Sequence, residues 1–190
     1  MTKLRFFLAL ALSTIVLSPA LAVEDMSSTI KIFNDSPVVQ PYFANAYGYA
    51  VFPTIGKGGI GIGGAHGKGQ VYQGGKVTGT TSMTQLTIGL QLGGQAYSQL
   101  IFFEDKRAYD EFTSGNFEFG AQASAVAITA GATAQASTGG TGASATAGGT
   151  AGKQSASYQK GMAVFTHAKG GLMYEASIGG QKFSFEPVGK

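Results

Sequence analysis

The sequence contains no cysteine and no tryptophan. Without cysteine there is no disulfide, no thiolate metal site and no lipid-modified N-terminal cysteine, so packing alone has to hold the chain together. Histidine is limited to His66 and His167, each in a Gly- or Ala-flanked stretch with no carboxylate at ligand spacing. That pattern points to no metal centre. Charge is scarce too: Lys and Arg number 13, Asp and Glu 10, together 12% of the chain. Nucleic-acid affinity needs many cations to neutralise phosphates, so this balance argues against a nucleic-acid partner. There is no G-x-S-x-G elbow, and Glu104, Asp105, Asp110 and Glu111 are accounted for by the ends and pairs of one helix. With no nucleophile beside a base, the chain is expected to have no catalytic residue, no enzymatic activity and no cofactor.

What is present begins with an export pattern. Lys3 and Arg5 precede a charge-free apolar run from Phe6 to Leu17, and Ala20-Leu21-Ala22 places small residues where a signal peptidase reads. The run is shorter than the ~20 apolar residues a membrane-spanning helix needs, so cleavage after Ala22 is expected, with residues 23–190 forming a single domain. Lys3 and Arg5 leave with the segment, and the formal charge of +3 falls by two. The expected location is periplasmic or secreted, or peripheral to a membrane.

From Ser27 to Tyr47 the spacing predicts two short helices, the second opened by Ser36-Pro37 and weakened by Pro41. Beyond Tyr47 the period becomes two. Leu86, Ile88, Leu90 and Leu92 alternate with Thr87, Gly89 and Gln91, which predicts a strand with the leucines inward. Phe117 to Ala125 and Leu172 to Ile178 repeat the pattern, and Gly74-Gly75 and Gly179-Gly180 read as tight hairpin turns. One helix interrupts the strands at 104–112, with Ala108 and Phe112 inward, an Arg107–Glu111 pair and Gly115 as its stop. Gly131 to Ser157 holds no large apolar residue and is expected to be a mobile loop. These elements predict an α+β, β-dominated fold: an antiparallel, strongly bent or barrel-like sheet with short N-terminal helices and one helix near 104–114.

The run "GKGGIGIGGAHGKG" at 56–69 satisfies G-x-G-x-x-G at Gly59, Gly61 and Gly64. A dinucleotide site needs a helix after those glycines, and here Gln70-Val71-Tyr72 continues as strand. The run therefore reads as a strand in which Ile60 and Ile62 line one face and Gly59, Gly61 and Gly63 leave the other bare. Glycine inside a strand marks a place where another backbone or a ligand comes close. Lys57, Lys68, Lys76, Lys169 and Lys182 all lie at or beside Gly-containing turns. They are read as cationic tips for anionic lipid headgroups, against the plainer reading of solubilising charge. Lys57 and Lys68 are expected to bracket the bare strip.

Four blocks in order, "AYGYAVFPTIGKGGIGIGGAHGKGQVY", "TSMTQLTIGLQLGGQAYSQLIFFEDKRAYDEF", "NFEFGAQASAVAI" and "KGGLMYEASIGGQKF", resemble the SYLF domain over roughly residues 36–130 and 160–186. The family was first described as lipid- and actin-binding in eukaryotes and is present in bacteria as exported proteins. The resemblance implies phospholipid binding without enzymatic activity, and it supplies no catalytic residue. Its eukaryotic members are associated with basic, amphipathic N-terminal elements; here that region carries Lys31 against Glu24, Asp25 and Asp35. The expected partner is a phospholipid or membrane surface, with actin unlikely for an exported chain. A structural or protein-partner-binding role in the envelope is the alternative. An outer-membrane barrel is the third reading, because alternating segments of about 10 residues are also its signature.

Overall fold

The computed structural model describes residues 19–60, 62–88, 94–121, 123–128, 157–170 and 178–189. In chain order these form α1 (Pro19–Asn34), α2 (Gln40–Asn45), β1 (Gly48–Ile60), β2 (Ile62–Gln73), β3 (Lys76–Ile88), β4 (Gly94–Phe103), α3 (Lys106–Thr113), β5 (Phe117–Glu118), β6 (Val126–Ile128), β7 (Met162–Gly170) and β8 (Gln181–Pro187). The eight strands make one sheet in the order β5-β8-β3-β2-β1-β4-β7-β6, antiparallel except for the parallel β6–β7 pair. The sheet curls into a half-barrel, the bent, β-dominated fold that the alternating pattern predicts.

Alternation along each strand sorts side chains between two faces. Ala50, Phe52, Ile55, Val71, Met83, Ile101, Phe103, Val164 and Phe183 pack together inside the curl. There α3 contributes the buried Ala108 and Phe112. On the opposite face Val51, Leu100, Phe102 and Phe165 are covered by Met26 and Phe33 of α1 and by Val39 just before α2. The outer face of β2, β3 and β8 is left to solvent: His66, Lys68, Thr84 and Lys182 are all exposed.

Several local expectations hold for the predicted reasons. Asp105 caps α3 by accepting from the Ala108 N–H at 2.8 Å, Arg107 meets Glu111 at 3.4 Å, and Gly115 follows with φ +87°. Gly74 and Gly75 adopt φ +57° and +76° and join β2 to β3 as a two-residue turn.

Others are corrected. α1 is a 16-residue helix rather than a short one, and it runs through Ala20–Ala22. Ser36-Pro37 forms a turn whose Ser36 carbonyl accepts from Val39 and Gln40, so α2 starts only at Gln40. Pro41 then occupies the first turn, where a missing N–H costs nothing. In β3 the predicted polarity is reversed at the end: Gln85 is 6% exposed while Leu86 is 85% exposed. Gln85 can be buried because its side-chain amide donates to the Gly179 carbonyl at 2.9 Å. Residues 89–92 of that predicted strand lie outside the described residues, as do 131–156 and 172–177.

The predicted strand 117–125 pairs with β8 only at Phe117 and Glu118. The chain then turns, with Ala123 N–H donating to Gly120 O, while Phe119 and Ala125 remain buried. Gly179-Gly180 is a turn, but β8 ladders with β3 and β5, and the turn leans on the 119–123 segment: Ile178 N–H donates to Ala123 O and Gly180 N–H to Phe119 O.

Candidate functional site

The glycine run at 56–69 is not one strand with a bare face. It is a hairpin in which Gly56 faces His66, Lys57 faces Ala65, Gly58 faces Gly64, Gly59 faces Gly63 and Ile60 faces Ile62. Ile60 and Ile62 therefore pair across the tip instead of sharing one edge of a strip. At Gly59 (φ +156°) a Cβ would collide with the Gly63 backbone, so these two glycines let the strands close on each other. Gly61 lies outside the described residues. Further along β2, a Cβ on Gly69 would strike the Val51 carbonyl and stand 2.8 Å from the Phe52 ring, which identifies its role as core packing.

The hairpin also separates the two lysines expected to act as a pair. Lys57 stands opposite Ala65 and Gln95 and points to the inner face, where Ala65 is buried. Lys68 stands opposite Thr54 and Ser82 on the exposed outer face. Lys182 shares that face, in the row His66–Thr84–Lys182–Glu118, and pairs with Glu118 at 3.5 Å. Lys169 reaches the same surface by donating to Thr54 Oγ1 at 3.0 Å, and Thr54 is Lys68's neighbour in the ladder. Lys76 sits at the β2–β3 turn, the opposite end of β2 from the hairpin tip. Of the five, the fold gathers Lys68, Lys169 and Lys182.

The same face carries two exposed large apolar side chains, one of which, Leu86, the alternating pattern predicts to point inward. Ile62 is 73% exposed and Leu86 85% exposed. Both project from the outer face, with Gly64 as the ladder partner of Leu86 and Ile62 paired to Ile88. A shallow groove of about 590 Å³ adjoins Leu86, with Gly56, Gly64, His66, Thr84 and Lys182 also in its lining. The usable signal in the sequence was Gly61 between two isoleucines, because a residue flanking a hairpin tip has little to pack against.

Inside the curl the half-barrel keeps a polar strip. Gln99 and Gln181 are fully buried, bond to each other, and Gln181 also donates to Tyr97 Oη at 3.2 Å. Burial pushes the Tyr97 hydroxyl up to about 12, with the Gln181 hydrogen bond opposing it. His167 Nδ1 is buried without a hydrogen-bond partner, and burial, followed by the Lys169 charge, lowers its pKa. Among the described residues no three His, Cys, Asp or Glu side chains gather into a metal-binding group. No described helix is long and apolar enough to cross a membrane, which says nothing of strands.

Two comparisons place the chain. A relative from Aeromonas veronii, Beta cell expansion factor A, is 34% identical over 112 residues, covering 56% of this chain and 42% of that protein. This chain thus spans under half the length of that relative. Residues 84–186, more than half of the sequence, match the family described as Las17-binding protein actin regulator, Ysc84. The chain belongs to this SYLF-domain family.

Proposed function

We propose that this protein is a non-enzymatic phospholipid-binding module of the bacterial cell envelope, exported and peripheral to a membrane. The carrying observation is that exposed Ile62 and Leu86 stand on the same face of the sheet as Lys68, Lys169 and Lys182. Large apolar side chains rimmed by cations suit a lipid interface, where each lysine near an anionic surface contributes about 1 kcal/mol. Withdrawing Ile62 or Leu86 from water adds roughly 1.5–3 kcal/mol apiece at full burial. A spanning barrel would present apolar residues to lipid along every strand. Here the large apolar residues point into the curl, and α1 and α2 cover the outer face of the β1–β4–β7 half.

Co-sedimentation with phosphatidylglycerol-containing vesicles at low salt tests the reading. The wild-type protein is expected to pellet with the vesicles. Ile62→Glu with Leu86→Glu should abolish that, and Lys68→Glu with Lys182→Glu should weaken it and flatten its salt dependence. Wild-type protein that stays in the supernatant with anionic and zwitterionic vesicles alike would sink the proposal.

A further inference from the structure

A second concavity, of about 330 Å³, lies between the end of α3, residues 117–121 and 123–124, and the start of β7. Its wall is apolar: Phe117, Phe119, Met162, Val164 and Ile178. The exposed Glu111, Glu118 and Lys160 also line it, as does the small Ala123. A space of this size falls at the lower end of small-ligand sites, which are typically about 300–1,000 Å³ and mostly apolar with few polar groups.

Both carboxylates at this cavity are already paired. Glu111 is matched by Arg107 at 3.4 Å and Glu118 by Lys182 at 3.5 Å. Lys160 has no ion pair among the described residues, so it is the cation of this lining left open to an anionic head.

The backbone that carries Lys160 is held in an unusual state. Lys160 (φ +53°) and Gly161 (φ +80°) form a two-residue turn closed by hydrogen bonds between Gln159 and Met162 at 2.9 and 3.1 Å. Lys160 is the one non-glycine residue at positive φ among the described residues, in a turn position that favours Asn, Asp or Gly. α3 clamps the turn: a Cβ on Gly161 would stand 3.0 Å from Ala108 Cβ, and Arg107 Nη2 donates to the Lys160 carbonyl at 3.3 Å. Strain of this kind clusters at ligand clamps.

We infer that this cavity takes the hydrocarbon chain of a single-chain anionic amphiphile, with its carboxylate or phosphate head against Lys160. The inference goes beyond the surface reading and is independent of it, since a chain lodged here need not touch Ile62 or Leu86.

The test is calorimetric titration of the protein with octanoate, decanoate and dodecanoate below micelle formation, with dodecyl phosphate and dodecanol as head-group arms. Saturable one-to-one binding is expected, tightening about fourfold per added methylene until the cavity is full. Dodecanoate against dodecyl phosphate separates a fatty-acid source from a phosphate-headed one, and saturable binding of either supports the site. Ala123→Phe, which fills the cavity, should abolish amphiphile binding and leave vesicle co-sedimentation unchanged. Lys160→Asn keeps a residue suited to the turn while removing the cation; it should weaken both anionic probes about fivefold and leave dodecanol unaffected. Wild-type protein that pellets with vesicles but binds none of the probes overturns this inference and leaves the surface reading intact. If Ala123→Phe does not fold, equal binding of the anionic probes by wild type and Lys160→Asn overturns it as well.

Discussion

Gln99 and Gln181 bond to each other across the inside of the half-barrel, at 2.8 and 3.1 Å, although three strands separate β4 from β8 in the sheet. The contact exists only because the sheet curls far enough for the inner faces of non-neighbouring strands to meet. It also explains how two fully buried amides are tolerated: each supplies the other's donor and acceptor.

Removing one partner should therefore cost more than removing both. Gln99→Leu alone leaves Gln181 with unmet polar atoms in the core and should destabilise by about 1–3 kcal/mol. Adding Gln181→Leu should cost at least about 1 kcal/mol less than the sum of the single variants, read from urea unfolding of the four proteins in a cycle. Additive costs would show that the two amides do not act as a unit.

Glycines of the hairpin should differ in sign. Gly69→Ala places a methyl against the Val51 carbonyl and the Phe52 ring and should destabilise by about 1–3 kcal/mol. At Gly56 a Cβ meets nothing within 4 Å, so Gly56→Ala should be neutral or stabilise by up to about 1 kcal/mol. Thermal melting of both variants checks the contrast, and equal effects would contradict it.

Two substitutions in α3 should separate capping from packing. Asp105→Ala removes the acceptor of the Ala108 N–H and should cost about 0.5–2 kcal/mol. Phe112→Ala opens a void where its ring stands 4.9 Å from Phe103 and 5.0 Å from Phe183, and should cost about 3–5 kcal/mol. Denaturant midpoints at a constant slope would register both.

Alkaline pH should unfold the protein through Tyr97. Its folded pKa, about 12, lies above the ordinary tyrosine value of 10.0, so its contribution to stability is complete below pH 10 and is lost as pH rises towards 12. A shift of that size corresponds to about 2–3 kcal/mol. Stability measured against pH should fall through this window in step with tyrosinate absorbance, and Tyr97→Phe should show a shallower fall.

The sequence by itself determined whatever depends on a few neighbouring residues. Asp105 three residues before a free N–H, the Ala108–Phe112 stripe, the paired glycines at 74–75 and the two-residue period after Tyr47 each follow from local backbone geometry, and each is found in place. The family match follows from the same ordered blocks. Tertiary structure alone decided which face each strand turns inward and which strands meet. A period of two marks alternation without stating its sense, and a shift of one residue inverts every side chain. That is why Gln85 is buried and Leu86 exposed, against their polarity. The cross-strand register folded one glycine run into two strands, sent Lys57 inward and Lys68 outward, and brought Lys169 and Lys182, distant in sequence, onto the face that carries Lys68. Those placements rest on pairings between residues up to 115 positions apart, set by the curl of the whole sheet, and no window along the chain contains them.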